Sequence, residues 1–197
     1  MKRSETTKKP IEILTNDELR SLMGVCNRST PTGLRDCALI ATLADTAGRL
    51  SEVLDLIDQN IDFNTGVVLL LGKGAKYRRV QIGKETLDLL KSWMLYRNKI
   101  ATTNLLFPTI SKGRAVHMSQ QHIRQMLTRR AQKAGIEKRI HPHGFRHTRA
   151  VQWHRNGVPL KIIQKALGHS FLSTTDRYID HIDAAEVCEA ISMVRAY

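Results

Sequence analysis

Apolar residues recur at helical spacing along most of this 197-residue chain. In "GLRDCALIATLADTAG" the spacing predicts an amphipathic helix, and its broad apolar face comprises Leu34, Cys37, Ala38, Ile40, Ala41 and Ala44. We predict helices in seven further segments: "LTNDELRSLM", "LSEVLDLI", "KETLDLLKSWMLYRNK", "SQQHIRQMLTRRAQKAG", "HPHGFRHTRAVQWHRNG", "PLKIIQKALGH" and "AAEVCEAISMV". The pattern therefore predicts a mainly helical protein.

Local signals mark several helix ends. Thr15 is a good N-cap for the first helix, and Glu18, three residues later, completes a capping box. Gly48 is expected to end the second helix, and Ser51 to cap the third. Pro159 suits the first turn of the helix that follows it.

The pattern changes in "NIDFNTGVVLLLGKGAKYRRVQIG". Asn-Thr-Gly and Gly-Lys-Gly-Ala-Lys are turn signals, and the runs "VVLLL" and "RRVQI" are rich in β-forming residues. They predict a small antiparallel sheet of two or three strands, whereas the segment with Phe107 and Pro108 is predicted as a loop. The expected fold class is mainly α with a small antiparallel β-sheet, an α+β arrangement.

The net charge of the chain indicates what kind of partner it binds. The chain has 31 Lys and Arg against 18 Asp and Glu, a formal net charge of +13. Small soluble domains usually carry net charges of about 2 to 8 in magnitude. The excess therefore favours a nucleic-acid partner over a role in solubility alone. Residues 1–11 are polar and basic, and we expect a flexible tail or linker there.

Membrane and disulfide roles are disfavoured. No apolar run approaches the roughly 20 residues of a membrane span, and no apolar region follows the basic N-terminal residues as in a secretory signal. The three cysteines, Cys26, Cys37 and Cys188, are odd in number and widely spaced. We interpret them as buried thiols in a reducing compartment and expect a cytoplasmic protein without a membrane partner.

Two arginines at predicted element junctions are candidate phosphate ligands. Arg49 follows Gly48 at a helix break, and Arg146 comes three residues after His143, so the latter two share one helix face. Two arginine forks from distant segments could neutralise a phosphodiester and the additional charge of its pentacoordinate transition state. Taken alone, each arginine is better explained by a surface salt bridge or a plain DNA-backbone contact.

Lys73 lies at the tip of the turn in "GKGAKYRR", where glycines on both sides allow the backbone to turn tightly. Alone, it is better explained as a solvated turn lysine. The sequence holds neither a G-x-x-x-x-G-K-[ST] nor a G-x-G-x-x-G motif, so we expect no nucleotide cofactor.

A metal site is also disfavoured. His143 and His147 have a spacing that can chelate zinc on a helix, but no glutamate or cysteine completes the site, and we expect no metal. Four acidic residues are interpreted as helix-face and hinge carboxylates rather than as a two-metal nuclease site: Asp45, Glu52, Asp55 and Asp58.

Four motifs occur in a specific order: "TAGRLSEVLDL", "LLGKGAKYRRVQI", "HPHGFRHTRA" and "LGHSFLSTTDRYIDH". Together they resemble the catalytic domain of the tyrosine recombinases, the phage-integrase family, and the resemblance covers the chain from about residue 12. Two departures are small: Ala47 before Gly48, where the family more often has glycine and then an apolar residue, and Arg149, where it often has an aromatic. Neither removes a catalytic group.

The resemblance implies a phosphate-binding set. Arg49 and Arg146 would clamp the scissile phosphate, and Glu52 would support the arginine and histidine network. His143 would accept a proton, and His169, of the "LGH" motif, would be a further phosphate ligand.

It also implies a nucleophile and an acid. Tyr178 alone would be a packing residue, but in the family this position is the nucleophile, here on a helix capped by Ser173, while His181 is expected to be solvated. Lys73 would protonate the leaving 5′-hydroxyl. A 3′-phosphotyrosyl bond keeps the energy of the phosphoester, so the resemblance implies a site-specific DNA recombinase, integrase-like, that needs no metal, no ATP and no other cofactor.

Domain and assembly expectations follow from the same resemblance. Residues 12–197 would form the catalytic domain, without the N-terminal core-binding domain of the family, either as a naturally short recombinase or as a fragment. The C-terminal helix, about 183–196, would pack on its own domain or be exchanged between protomers. We expect double-stranded DNA as the partner, a homo-tetramer on DNA, a monomer or weak dimer free in solution, and a prokaryotic, phage or mobile-element origin.

Two alternatives remain open. A type IB topoisomerase shares this set of active-site residues, but its pattern would lack the compact spacing of the last two motifs. A non-catalytic DNA-binding regulator could use the same fold, although the complete residue set argues against it.

Overall fold

Seven α-helices and two β-hairpins make up the described part of the computed structural model, which covers residues 13–72, 74–111, 114–169 and 175. The helices are α1 (Asn16–Gly24), α2 (Pro31–Thr46), α3 (Leu50–Leu54), α4 (Lys84–Ile100), α5 (Gln120–Lys133), α6 (Pro142–Arg155) and α7 (Leu160–Leu167). The strands are β1 (Val67–Leu71), β2 (Tyr77–Gln81), β3 (Pro108–Ser111) and β4 (Arg114–His117). The prediction of a mainly helical α+β fold is confirmed, while the predicted helix near residues 183–196 lies outside the described residues.

Helix α2 lies at the centre of the fold, because it packs against α4, α6, α1 and α3. Of its predicted apolar face, Cys37, Ala38, Ile40 and Ala41 are buried, whereas Leu34 and Ala44 are half-buried. Leu39 and Leu43, outside that face, are buried as well, so α2 is enclosed on more sides than predicted. A helix that contacts several elements at once fixes their relative positions. Helix α2 therefore fixes the positions of α1, α3, α4 and α6 relative to one another.

The capping box of α1 is confirmed. The Glu18 N–H donates to Thr15 Oγ1 over 3.1 Å, and the Thr15 N–H donates to Glu18 Oε2 over 2.7 Å. The predicted cap of α3 is wrong, because the helix begins at Leu50 and the N-cap position is Arg49. The Arg49 N–H donates to the carboxylate of Glu52, which is the arm of a capping box that runs from the N-cap backbone to the side chain three residues later.

The predicted hairpin is present as two strands. β1 pairs with β2 in antiparallel register from Val67 opposite Gln81 to Leu71 opposite Tyr77. A second hairpin, β3 with β4, replaces the predicted loop around Pro108, so that prediction is wrong. Proline in a sequence usually argues against a strand, but it is tolerated as the first residue of an edge strand, and four-residue strands are too short to show a clear alternation.

Three carboxylates that were interpreted from the sequence as helix-face or hinge residues are engaged in joining elements. Asp45 accepts from the Gly83 N–H over 2.8 Å and from the hydroxyl of a threonine in the first turn of α4. Asp58 receives two bonds of 2.7 Å from Arg97, and Asp55 lies 2.7 Å from a ring nitrogen of His117 in β4. These groups connect helices and hairpins around the core.

The cysteines Cys26 and Cys37 are buried and form no disulfide within the described residues, whereas Cys188 lies outside them. Across the same described ranges, none of the helices is long and apolar enough to cross a membrane.

Candidate active site

The connection between α2 and α3 positions Arg49. Ala47 adopts the left-handed conformation (φ 48°) and ends α2, so the prediction that Gly48 ends this helix is wrong. Gly48 follows in a crowded position, where a Cβ would lie 2.7 Å from Val53 Cγ2. The chain therefore turns sharply and presents Arg49, with 41% of its side chain exposed, beside an open cavity.

Glu52 is the most heavily hydrogen-bonded carboxylate of the site. It accepts from the backbone N–H and from Nη1 of Arg49, both over 2.7 Å, and from Nη1 and Nη2 of Arg78 over 3.0 and 2.6 Å. Its side chain is only 4% exposed. Burial alone would raise the pKa of the Glu52 carboxyl, but the hydrogen bonds from Arg78 and Arg49 outweigh burial and lower the pKa to about 2.

Arg146 comes from the first turns of α6, whose N-cap, His141, accepts the Gly144 N–H on Nδ1 over 3.2 Å. The Arg146 residue is 1% exposed. Its Nη1 donates to the Ala47 carbonyl over 2.7 Å, and its Nη2 donates to the Leu167 carbonyl. The guanidinium is thus fixed between the end of α2 and the end of α7.

The two histidines of the site are held neutral. Burial, followed by the positive charges of Arg146, His141 and Arg49, lowers the pKa of His143. Burial, followed by the charges of Arg146, Arg49 and the neighbouring cations, lowers the pKa of His169 to about 4. Both imidazoles are therefore uncharged at pH 7 and can accept a proton or a hydrogen bond.

The end of α7 sets the place of His169. Gly168 adopts the left-handed conformation (φ 66°) that ends the helix, and the His169 N–H donates to the Gln164 carbonyl over 3.1 Å. The His169 Nδ1 lies 2.9 Å from Thr175 Oγ1. The ring is therefore tied both to α7 and to the chain that follows it.

The cavity has a volume of about 540 Å³ and is open to solvent. Helices α3, α5 and α6 contribute to its wall, and the described residues that line it include no aspartate or glutamate. Its ionisable lining residues are Arg49, Arg124, Arg139, His141, His143 and Arg146. This one-sided composition suits an anionic ligand, because the field of several cations adds up in a concave, partly desolvated site.

Of the seven site residues proposed from the sequence, five lie among the described residues and are close together: Arg49, Glu52, His143, Arg146 and His169. The other two, Lys73 and Tyr178, lie outside the described residues, as do Ser173 and His181. The residues that flank Lys73 are described, and the Gly72 N–H donates to the Lys76 carbonyl over 2.9 Å, which closes the β1–β2 hairpin.

Three arginines of the site, Arg78, Arg124 and Arg139, were not predicted from the sequence. Arg124 and Arg139 line the cavity, but exposed basic residues are common in a chain of this charge and gave no signal of their own. The sequence did contain a signal for Arg78. It lies two residues before the buried Val80 in β2, so strand alternation places both side chains on the same face of the strand.

Known proteins are similar to this chain along most of its length. Residues 12–185 match the model of the phage integrase family. Tyrosine recombinase XerC of Oceanobacillus iheyensis is 33% identical over 191 residues, which cover 93% of this chain and 61% of that protein. Tyrosine recombinase XerD of Listeria monocytogenes is 31% identical over 173 residues, which cover 85% of this chain and 57% of that protein. The chain thus spans about three fifths of the length of these two relatives.

Solved structures show the same likeness. The crystal structure of XerA recombinase has a TM-score of 0.80 at 28% identity, over 94% of this chain and 66% of that one. XerH site-specific recombinase bound to palindromic difH substrate, in a post-cleavage complex, has a TM-score of 0.78 at 29% identity, over 97% of this chain and 55% of that one.

Proposed function

The chain belongs to the phage integrase family, and from this premise we propose that it is a site-specific DNA recombinase. It cleaves and rejoins DNA strands through a 3′-phosphotyrosyl intermediate, without metal or ATP. The observation that carries the proposal is the cavity that Arg49, Arg146 and the neutral His143 line together, with no carboxylate among its described lining residues.

The arginines are suited to a phosphodiester. Arg146 is anchored by two backbone carbonyls and Arg49 by one carboxylate, so little reorganisation is needed when charge develops on the phosphorus oxygens. Preorganised donors of this kind stabilise a pentacoordinate transition state more than they stabilise the substrate. His169 donates a further hydrogen bond to the same phosphate.

The proposed reaction balances within the chain. The Tyr178 oxygen attacks the phosphorus, its proton passes to His143, and the bond from phosphorus to the 5′-oxygen breaks. Lys73 gives a proton to the leaving 5′-oxygen. A free phenol has a pKa near 10, so the surrounding arginine charges and a neutral His143 are what make Tyr178 reactive near pH 7.

The proposed partner is double-stranded DNA. The formal charge of +13 supports binding to its phosphates, and the similar XerH was solved with its difH substrate. We propose a homo-tetramer on DNA, a monomer or weak dimer in its absence, and a C-terminal helix, about 183–196, exchanged between protomers. Residues 12–197 form the catalytic domain and residues 1–11 a basic tail, and the enzyme works in a prokaryotic cytoplasm, where its DNA lies.

Covalent capture tests the function whatever the target sequence is. The chain is incubated with a pool of nicked duplexes of randomised sequence, in which cleavage releases a short strand and traps the adduct. Adducts are recovered under denaturing conditions and the attached DNA is sequenced. We expect a recurring sequence motif with wild type and no adduct with Tyr178→Phe.

Other outcomes would contradict the proposal. Adducts without any shared sequence, together with relaxation of a supercoiled plasmid that lacks a specific site, would indicate a type IB topoisomerase. Sequence-selective DNA binding without adducts would indicate a non-catalytic regulator.

A further inference from the structure

Arg78 joins three segments that each lead to a proposed catalytic residue. Its two terminal nitrogens donate to the Glu52 carboxylate, and its Nε donates to the Ala166 carbonyl in α7 over 2.8 Å. Arg78 itself belongs to β2, in the hairpin that carries Lys73 at its turn. A single guanidinium, 9% exposed, therefore connects the β1–β2 hairpin, α3 and the end of α7.

One glycine makes room for this side chain. Gly168 has a positive φ of 66°, and a Cβ there would lie 3.2 Å from Arg78 Cδ. Gly168 directly precedes His169 in the chain. Arg78 is thus packed closely against the end of α7, at the point where the proposed catalytic residue His169 leaves the helix.

Arg78 also decides whether Glu52 can remain ionised. A carboxylate that is 4% exposed needs close cationic partners to offset its desolvation. Arg49 supplies only one side-chain bond to it and is itself 41% exposed, whereas Arg78 binds both carboxylate oxygens from a buried position. Without Arg78 the carboxyl would take up a proton more readily, and its hold on Arg49 would weaken.

We propose that Arg78 is a positioning residue, which fixes the Glu52 carboxylate and thereby orients the Arg49 guanidinium towards the scissile phosphate. This inference rests on the function proposed above. Both terminal nitrogens of Arg78 are engaged by the Glu52 carboxylate and its Nε by the Ala166 carbonyl, so it acts through Glu52 rather than on the phosphate.

The first experiment does not depend on catalysis. The carboxyl carbon of Glu52 is followed by NMR as a function of pH in wild type, Arg78→Gln, Arg78→Lys and Arg79→Gln. Arg79 is the matched control, because it is the next residue of β2, carries the same charge and is exposed. We expect no titration of Glu52 above about pH 4 in wild type and Arg79→Gln, and a clearly raised midpoint in Arg78→Gln.

The second experiment measures the consequence for the site. At pH 7, inorganic sulfate, as a mimic of the phosphate, should bind more weakly to Arg78→Gln than to Arg79→Gln. In single-turnover cleavage at saturating DNA, the rate of Arg78→Gln relative to wild type should fall further with acid, by about tenfold per pH unit below the raised pKa. Arg78→Lys should show a smaller loss, because it keeps the charge but not the two-pronged contact.

The outcomes separate the two proposals. Two results would overturn the positioning role while wild type still forms adducts, so that the recombinase function stands. In the first, Arg78→Gln cleaves DNA as fast as wild type. In the second, Arg78→Gln loses activity by the same factor at every pH, and its Glu52 titrates as in wild type. If wild type forms no adduct, the function fails, and the NMR and sulfate measurements still decide whether Arg78 controls Glu52 and the anion site. If Arg78→Gln does not fold, the same comparisons are decided with Arg78→Lys.

Discussion

Two buried arginines, Arg97 and Arg78, bind carboxylates with similar geometry but in different surroundings. Arg97 binds Asp58 through two bonds of 2.7 Å and also donates to the Leu105 carbonyl over 2.6 Å, at 0% exposure. Arg78 binds Glu52 through bonds of 3.0 and 2.6 Å. The Arg97 pair joins α4 to the core. Glu52, by contrast, also accepts a hydrogen bond from Arg49, which lines the cavity. Similar local chemistry thus serves stability in one place and the orientation of a ligand-binding group in the other.

Breaking the core pair should have the largest effect, and on stability alone. Arg97→Met removes the buried guanidinium from Asp58 and from the Leu105 carbonyl, and we expect a loss of roughly 1.5–3 kcal/mol in the free energy of unfolding, measured by urea denaturation. The single-turnover cleavage rate of the remaining folded protein should equal that of wild type. A rate loss at saturating DNA, after correction for the folded fraction, would contradict the contrast between the two pairs.

Breaking the cavity pair at its carboxylate should act mainly on activity. Glu52→Gln keeps the size of the side chain but weakens its hold on Arg49, and displacement of a phosphate ligand by about 1 Å can cost about 100-fold in rate. We therefore expect a roughly 10- to 100-fold slower single-turnover cleavage, with DNA affinity nearly unchanged. Asp58→Asn is the matched control from the core pair and should leave the rate per folded molecule intact.

The charge of the site can be tested through His169, because the charges of Arg146 and Arg49 act on its ring. Its pKa of about 4 lies below the ordinary value of 6.5, so the folded state disfavours its protonation, and stability linked to this group is lost as the pH falls from about 6.5 towards about 4. An anion bound beside the His169 ring favours the protonated imidazole and so raises its pKa. We expect sulfate to raise the His169 midpoint in an NMR titration, and sulfate to bind more tightly as the pH falls through this range.

Arg49→Gln provides the comparison for that measurement. It removes one proposed anion ligand, so the same sulfate concentration should shift the His169 midpoint less. Equal shifts in both proteins would place the bound anion away from Arg49.

The smallest expected effect concerns the bend before Arg49. Ala47 has a positive φ of 48°, a conformation that glycine adopts without the steric cost of a Cβ. Ala47→Gly should leave the cleavage rate unchanged and alter the free energy of unfolding by less than about 1 kcal/mol, because relief of strain is offset by greater freedom of the unfolded chain. A large rate loss would show that the bend needs the rigidity of alanine.

Local signals in the sequence gave the most accurate predictions of the fold. The apolar spacing of α2 and the Thr15–Glu18 capping box involve residues within a turn or two of each other, and both are confirmed. Ser51 was a reasonable cap by type, but α3 begins before it, at Leu50, and the Glu52 carboxylate binds the backbone N–H of the N-cap residue Arg49. The β3–β4 hairpin was missed because its strands have four residues each and begin at a proline.

Part of the site could be predicted from the sequence for a different reason. Arg49, Glu52, His143, Arg146 and His169 were singled out by a resemblance of motifs, and periodicity alone could not have brought them together. Arg78 was not singled out because its importance depends on a contact with Glu52, 26 residues earlier, and on the Ala166 carbonyl, 88 residues later. Such contacts are set by tertiary packing, which strand alternation only hints at.

The anchoring of Arg146 has an evolutionary consequence. Its acceptors are the Ala47 and Leu167 carbonyls, which belong to the main chain at the ends of two helices. Any residue type supplies a carbonyl, so substitutions at positions 47 and 167 that preserve the backbone also preserve the anchor. Arg49 depends instead on the side chain of Glu52, which one codon change can remove. The anchor of Arg146 should therefore survive substitutions that keep the buried packing of positions 47 and 167, whereas the anchor of Arg49 is lost with the Glu52 carboxylate.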